Sequence, residues 1–297
     1  MSRCYLCKHK TLSGAFTKHG WTTLRCRNCG LLSLEFRGSY AKFIREYYDR
    51  RFFTGSDKRA GYCNYEGDRY TEGKNMDMYL SGIKKFKSSG NLLDVGCATG
   101  LFMLKAKAEG FNVYGVDVSD YAVEIAQKRF GTRVKRSSIE NANFPKGKFD
   151  VVTLFDVIEH LKDPREVLGK LRTFLKDDGI LVINTGDSGS FIAKFQGENW
   201  HYFIPPQHFF YFSQKTLRRL LQQTGFSAKK IEHKGKWLTL RYLFHLARQI
   251  QNDVLGHLGF ALVGRNILGR IPVHLNLFDN ITVYATKDPN GNKASSK

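Results

Sequence analysis

From residue 91 onward the chain alternates short apolar runs with amphipathic segments. The runs 91–95, 112–117, 132–136, 149–155 and 179–184 read as strands, and the segments 101–109, 119–130 and 164–176 between them read as helices. Helix signals agree with this division. Ser119 or Asp120 can cap the second helix, and Pro164 suits the first turn of the third. A further helix is predicted over 213–225, with Ser213 as its cap and Gly225 as its stop. Strands near 227–234 and 280–286 would complete seven. Alternating strand and helix predict an α/β fold, doubly wound around a mostly parallel seven-stranded sheet. Ligands of such sheets bind beyond the carboxyl ends of the strands, at the switch point, where Asp94, Asp117 and the residues after 155 would meet.

The remainder lacks this alternation. Residues 1–40 are short-patterned, polar and basic, with few helix signals. Residues 41–90 are rich in charge and tyrosine (Tyr47, Tyr48, Tyr62, Tyr65, Tyr70, Tyr79) and read as a helical linker or lid, made partly loop-like by Gly55, Gly61, Gly67 and Gly73. Two readings of the tyrosines stay open: packing against the large domain, or contact with a bound ligand. The large domain is expected to span 91–287. Within it, 237–275 reads as an insertion mixing Leu, Phe, Arg and Gly, and 288–297 as a disordered tail.

Composition narrows the class. In 297 residues, a hydrophobic share of 42% and an aromatic share of 13% exclude wholesale disorder. A net charge of +20 favours anionic partners: a nucleotide-linked substrate, RNA or an acidic membrane face. No secretory signal opens the chain, and no apolar run is long enough to span a bilayer. A cytoplasmic protein with reduced thiols is expected. Four of its six cysteines form Cys4-x2-Cys7 and Cys26-x2-Cys29, with 18 residues between the pairs. That spacing predicts a tetrahedral sulfur site for structural zinc in an N-terminal ribbon. Gly30 follows the second pair, where a knuckle often needs an open backbone.

The densest chemical signal is Asn91-Leu-Leu-Asp-Val-Gly-Cys-Ala-Thr-Gly-Leu-Phe102. An apolar run meets an acid, a glycine-spaced turn follows, and a helix begins; glycine leaves no Cβ in a ligand's way. Asp117 closes the next strand 21 residues after Gly96, where a nucleoside-binding βαβ unit places a carboxylate for ribose hydroxyls. This segment resembles motif I of the class I S-adenosylmethionine-dependent methyltransferases, with Ala98 at the family's middle glycine. The resemblance extends over residues 91–235. It includes the loop Ser137–Pro145 and the run Phe149-Asp-Val-Val-Thr-Leu-Phe-Asp-Val-Ile-Glu-His160, which is similar to small-molecule methyltransferases, including those of ubiquinone biosynthesis. It also includes Trp200-His-Tyr-Phe-Ile-Pro-Pro-Gln-His208, similar to zinc-ribbon enzymes that modify sugars. The resemblance implies S-adenosylmethionine as cofactor, in a Rossmann-like domain. Asp94, Gly96, Cys97, Gly100, Asp117, Val118, Ser138, Ile139 and Phe155 would form its site, with Ser138 standing where the family often has Asp.

Methyl transfer from a sulfonium is mainly a matter of alignment, but a hydroxyl acceptor must also lose a proton. His208, His160 and Glu159 are the candidates for that role, with His201 also considered and Asp156 an alternative for orienting the acceptor. His208 is preferred because Pro205-Pro206 would stiffen its loop. The acceptor is expected to be a small-molecule, sugar or lipid-linked compound, probed for anionic character by the basic chain. Arg241, Arg248, Arg265 and Arg270 would suit peripheral contact with the inner membrane face, or a helical cover over the sheet. A rival reading is an RNA methyltransferase or zinc-ribbon RNA-binding protein: residues 1–60 hold 13 Lys/Arg against 4 Asp/Glu. Against it, the fourth strand ends in Phe155-Asp156, without the Pro-Pro motif of base-directed enzymes.

Overall fold

In the computed structural model, which describes residues 3–54, 69–244 and 267–289, the alternating runs form one seven-stranded sheet. Ahead of it, β1 (Leu12–Lys18), β2 (Trp21–Cys26) and β3 (Leu32–Leu34) make an antiparallel meander. Helices α1 (Tyr40–Tyr47), α2 (Arg50–Thr54) and α3 (Arg69–Lys84) follow. The winding then runs β4 (Gly90–Val95), α4 (Leu101–Ala108), β5 (Phe111–Asp117), α5 (Asp120–Phe130), β6 (Val134–Arg136), β7 (Phe149–Phe155), α6 (Pro164–Phe174) and β8 (Leu175–Gly186). After it come α7 (Phe191–Gln196), β9 (Phe210–Tyr211), α8 (Gln214–Gln223), β10 (Phe226–His233), β11 (Lys236–Thr239), β12 (Pro272–Leu275) and β13 (Asn280–Lys287).

The sheet order is β10-β13-β8-β7-β4-β5-β6. β4 through β8 are parallel neighbours, while β13 runs antiparallel to both β8 and β10. The chain steps outward from β4 to β5 and β6, then returns to lay β7 against the other side of β4. That reversal opens a crevice at the carboxyl ends of β4, β5 and β7. Successive residues of the central strands point to opposite faces and both faces are covered. Leu93, Val152 and Leu181 pack with Leu168 and Leu171 of α6 and Leu217 of α8. Leu92, Val151 and Val182 pack with Ile83 of α3, Met103 of α4 and Val123 of α5.

Local signals explain most element ends. Ser119 caps α5 through Ala122 N, Asp163 caps α6 ahead of Pro164, and Ser213 makes a capping box with Thr216. The helix expected over 164–176 ends earlier, at Phe174. Leu175 is already extended (ψ 142°) and pairs with Phe149 of β7, so the sheet takes it from the helix. Gly73 sits inside α3, where the sequence suggested a loop. Part of the region read as an insertion forms a two-stranded antiparallel ribbon, β11 with β12, in register Lys236↔Leu275. Tyr62, Tyr65, Gly55, Gly61, Gly67, Arg248, Arg265 and residues 290–297 lie outside the described residues.

The cysteine-bearing meander is not set apart from the large sheet. β9 adds to it as a fourth strand, pairing Leu32 with Tyr211 and Ser33 with Phe210. Leu6 and Leu31, each 1% exposed, join the core that includes α6 and α8. Tyr5 donates to Asp163, and its hydroxyl accepts from Arg165 N at 2.7 Å. Among the described residues no helix is long and apolar enough to cross a membrane. Because Leu6 belongs to the shared core, Leu6→Ala is expected to destabilise the protein by ~2–4 kcal/mol. Denaturant unfolding should stay a single transition; a separate early transition for the cysteine segment would contradict the shared core.

Candidate active site

The loop after β4 is shaped by left-handed backbone. Gly96 (φ +73°) and Gly100 (φ +82°) flank Ala98, which also has positive φ (+46°). A Cβ on Gly96 would lie 2.5 Å from Val157 Cγ2, and one on Gly100 would lie 2.8 Å from Phe130 Cε2. Ala98 therefore holds, at a strain of ~1 kcal/mol, a conformation that glycine adopts freely. Asp117, at the end of β5, ties this loop down. Its Oδ2 accepts from Ala98 N at 2.8 Å and its Oδ1 from Ser119 N at 2.9 Å. Burial raises its pKa, while those amide bonds oppose the rise.

These groups bound a cavity of about 580 Å³, a size suited to a small organic ligand. Gly96, Asp117, Val118, Ser138, Ile139 and Phe155 line it, as the sequence implied. Asp94, Cys97 and Gly100 do not. Asp94 is buried behind the loop, accepting from Thr153 Oγ1 at 2.7 Å. Burial, then the nearby charge of Asp117, push its pKa up to about 7. Cys97 is buried in the core beside Met103, its thiol raised well above the usual range by burial, so it is neither a wall residue nor a nucleophile. Gly100 caps α4. The far wall comes from the N-terminal helices: Ile44, Tyr48, Phe52 and Phe53. Tyr48 and Tyr47 thus belong to both readings of the tyrosine stripe. Tyr47 packs against Phe43 and Phe52, and Tyr48 faces the cavity.

A second cavity of about 160 Å³ adjoins the first. Glu72, Met76, Asp156, His160 and Gln207 line both. Asp156 follows β7 in left-handed backbone (φ +51°), a strained geometry for a non-glycine residue that sets its carboxylate at the junction. The smaller cavity also holds Glu159, His201, Tyr202 and His208. The segment 200–208 is carried there by β9. Leu34 N donates to Phe209 O and Phe209 N to Glu159 O, both at 2.8 Å, so the small sheet and the loop after β7 grip His208 from two sides. The Pro205–Pro206 bond in this segment is cis.

The catalytic candidates converge. Ligand atoms of Glu159, His160 and His208 lie within 4.8 Å of one another, a donor set that divalent cations also use. Gln207 O lies 2.9 Å from His160 Nδ1; a carbonyl only accepts, so Nδ1 carries the proton and Nε2 keeps a lone pair. Tyr48 Oη is 3.1 Å from the same Nδ1. Burial lowers the pKa of His160, and burial followed by His160 pushes His208 well below the usual range. Both are neutral bases at neutral pH. Glu159 is 2% exposed, and neither carboxylate oxygen meets a hydrogen-bond partner of standard geometry among the described residues. Burial, then Asp156, raise its pKa to about 8, which the nearby Thr185 hydroxyl and Lys236 oppose. His201 is not a surface residue: it lines the cavity 3.6 Å from Asp279 Oδ2.

Sequence reasoning passed over Lys236 and the phenylalanines of α2, and left open which tyrosines of residues 41–90 reach a cavity; Tyr48 and Tyr79 do. The aromatic run 40–53 signalled packing but not which surface it covers. Lys236 lies 80 positions from Asp156, to which Nζ bonds at 2.9 Å, and no spacing rule links them.

The four cysteine sulfurs of the N-terminal segment also lie within 4.8 Å of one another. Cys4–Cys29 and Cys7–Cys26 are 3.6 and 3.5 Å apart. Disulfides would need about 2.05 Å, whereas the edge of a tetrahedral zinc–thiolate site is about 3.8 Å. Gly30 has φ +82°, the left-handed turn that closes the second knuckle. The donor set and its spacing fit structural zinc.

Comparison with known proteins agrees with this geometry. A family described as a methyltransferase domain matches residues 68–230, more than half of the chain. The mitochondrial ubiquinone biosynthesis O-methyltransferase of Schizosaccharomyces pombe is 34% identical over 106 residues, covering 33% of this chain and 38% of that protein. The corresponding enzyme of Rickettsia bellii is 32% identical over 114 residues, covering 35% and 47%. The chain thus matches less than half the length of these curated relatives. Magnesium protoporphyrin IX methyltransferase from Synechocystis, solved with bound S-adenosylhomocysteine, superposes with TM-score 0.54 at 15% identity, over 84% of this chain and 100% of that one. Geranyl diphosphate C-methyltransferase from Streptomyces coelicolor gives 0.53 at 16%, over 84% and 98%. At such identities these structures share the fold.

Two outcomes are expected. Elemental analysis should find one zinc per chain, and Cys26→Ser should lose it together with a marked drop in Tm; metal-free wild-type protein of unchanged Tm would contradict the zinc site. Asp94 has its folded pKa raised above the unfolded value, so its contribution to stability is full below about pH 4 and is lost as pH rises through about 7. Asp94→Asn should therefore flatten the fall in Tm between pH 4 and 8, read by calorimetry; an unchanged slope would contradict the raised pKa.

Proposed function

The chain belongs to the methyltransferase-domain family, and from that premise we propose that it transfers a methyl group from S-adenosylmethionine to a hydroxyl of a small-molecule acceptor. The observation that carries this reading is the pair of adjoining cavities, one ending at Gly96 and Asp117, the other at Glu159 and His208, with Asp156 at their junction. The relatives named for O-methylation in ubiquinone biosynthesis support oxygen as the acceptor atom.

S-adenosylmethionine, when bound, supplies an electrophilic methyl on a positively charged sulfur. The chain's residues then do three things. Asp117 offers its remaining lone pairs to ribose hydroxyls while its amide bonds hold the β4 loop open, and Ser138 and Ile139 border the same cavity. Tyr48, Phe52 and Phe53 wall it off from water. In the smaller cavity, His208 takes the acceptor's proton, with His160 beside it at a ring separation of 4.7 Å. A neutral imidazole can do this without first losing a proton, and a positioned base contributes ~10²–10⁴-fold. Glu159, protonated at neutral pH, orients the acceptor as a hydrogen-bond donor.

Lys234 and Lys236, which line the smaller cavity beside Glu72, Asp156, Glu159 and Asp279, would be the groups to meet an acceptor with some anionic character. A sugar or lipid-linked acceptor fits the same cavity description. Membrane contact would rest on Arg241, Arg248, Arg265 and Arg270, of which two lie outside the described residues.

Asp117→Ala should weaken S-adenosylmethionine binding at least tenfold by calorimetry, and unchanged affinity would overturn the assignment of the larger cavity. His208→Ala should leave that affinity unchanged and cut kcat about 10²-fold or more in a labelled-methyl transfer assay. Because burial lowers the His208 pKa, protonation of this base begins only at acidic pH. The acid limb of kcat/KM should accordingly fall well below pH 6.5; a limb at or above 6.5 would exclude His208 as the base.

A further inference from the structure

The smaller cavity is backed by a buried amide pair whose orientation follows from the backbone. Asn184 Nδ2 meets the main-chain carbonyl of Ile281 at 3.2 Å; a carbonyl only accepts, so this atom is the amide nitrogen. It also meets Asn280 at 2.5 Å, and the atom facing it there must be the oxygen, Oδ1. Asn280 is thereby oriented with Nδ2 towards the Tyr202 hydroxyl oxygen, to which it donates at 2.6 Å. Asn184 Oδ1 in turn accepts from Tyr79 at 3.2 Å. Asn184 and Asn280 are 0% and 4% exposed, so bulk water offers neither amide an alternative partner.

This chain makes the Tyr202 oxygen an acceptor. Lys236, which also bonds to the phenol, can only donate. The phenol has a proton of its own to give, and no group among the described residues takes it. Burial holds its pKa well above the usual range, with Lys236 opposing, so the proton stays on oxygen at neutral pH. The ring itself is held in place. Gly186 packs against it, where a Cβ would lie 2.8 Å from Tyr202 Cγ, and the rings of His201 and Trp200 stand 4.7 and 5.2 Å away. Tyr202 and Asn280 both line the smaller cavity, so the proton is offered to whatever fills it.

We propose that Tyr202 is a specificity-determining residue that donates a hydrogen bond to a carbonyl or carboxylate oxygen of the acceptor, distinct from the oxygen that is methylated. This deepens the methyltransferase reading above and rests on it. The reacting oxygen needs its lone pair for the methyl carbon, and a hydrogen bond to it would hold that pair back, so the partner of Tyr202 is a second oxygen. A carbonyl or carboxylate oxygen brings lone pairs without a proton, as a group that can only donate requires. An acceptor lacking such an oxygen leaves the phenol proton without a partner in the filled cavity, and a site built to hydrogen-bond one group discriminates strongly against analogues without it.

The test titrates three probes of similar size into the full-length protein loaded with S-adenosylhomocysteine: acetophenone, benzoate and ethylbenzene, the last without oxygen. The wild type should bind acetophenone or benzoate at least ~10-fold more tightly than ethylbenzene, and the tighter of the two identifies the oxygen as carbonyl or carboxylate. Tyr202→Phe should lose that preference while binding ethylbenzene as before. Asn280→Asp keeps the phenol but sets a carboxylate beside it that can take its proton, so the preference should be lost there too. A preference missing from the wild type, or retained in either variant, would overturn the proposal. Calorimetry with S-adenosylhomocysteine separates the two levels. Failure of the wild type to bind it would sink the methyltransferase reading itself, whereas normal binding with no preference among the probes would sink only the role of Tyr202. Circular dichroism with Tm confirms that each variant is folded.

Discussion

The active crevice depends on how closely two loops approach each other at the reversal of the sheet. Gly96 begins the loop after β4 and Val157 lies in the loop after β7, and no Cβ fits between them. Because nothing stands between the loops, Asp117 can reach back to the Ala98 amide and Asp156 can be set at the junction of two cavities. A side chain at position 96 would push the loops apart, and both cavities would lose the wall they share. The strain held at Ala98 and Asp156, both with positive φ, is the cost of this close approach.

The second organising feature is desolvation. Glu159, His160 and His208 are buried together, and burial drives all three toward their neutral forms. Charging these groups in a dry site would cost their hydration, whereas a neutral imidazole there is able to receive a proton. The cationic charge in this wall comes instead from Lys234, between β10 and β11, and Lys236, which is held by Asp156.

The cysteine segment is joined to this site by backbone hydrogen bonds. Its third strand pairs with β9, and β9 immediately follows His208. Phe209 is bonded on one side to Leu34 and on the other to Glu159. A metal that stiffens the four-cysteine cluster would thus also stiffen the strand that follows His208, through a few backbone hydrogen bonds.

Much of this was legible in the chain itself. Helix caps, the glycine turn, the acid 21 residues after Gly96 and the paired knuckles are local or fixed-interval features, governed by backbone sterics and hydrogen bonding within a few residues, so the sequence determined them without reference to distant partners. The spacing also pointed to Glu159, His160 and His208 as chemical groups. What it could not determine is which side chains turn inward. Cys97 and Asp94 belong to the same motif as Gly96 yet are buried, Cys97 in the cluster with Phe102 and Met103 of α4 and Asp94 bonded to Thr153 of β7, contacts that the spacing of the motif does not specify. Lys236 reaches Asp156 across 80 positions, and Tyr48 reaches His160 across 112, only because separate elements pack against one crevice. Such meetings depend on the close packing of the whole domain, which no local pattern encodes, and the tertiary structure alone decided them.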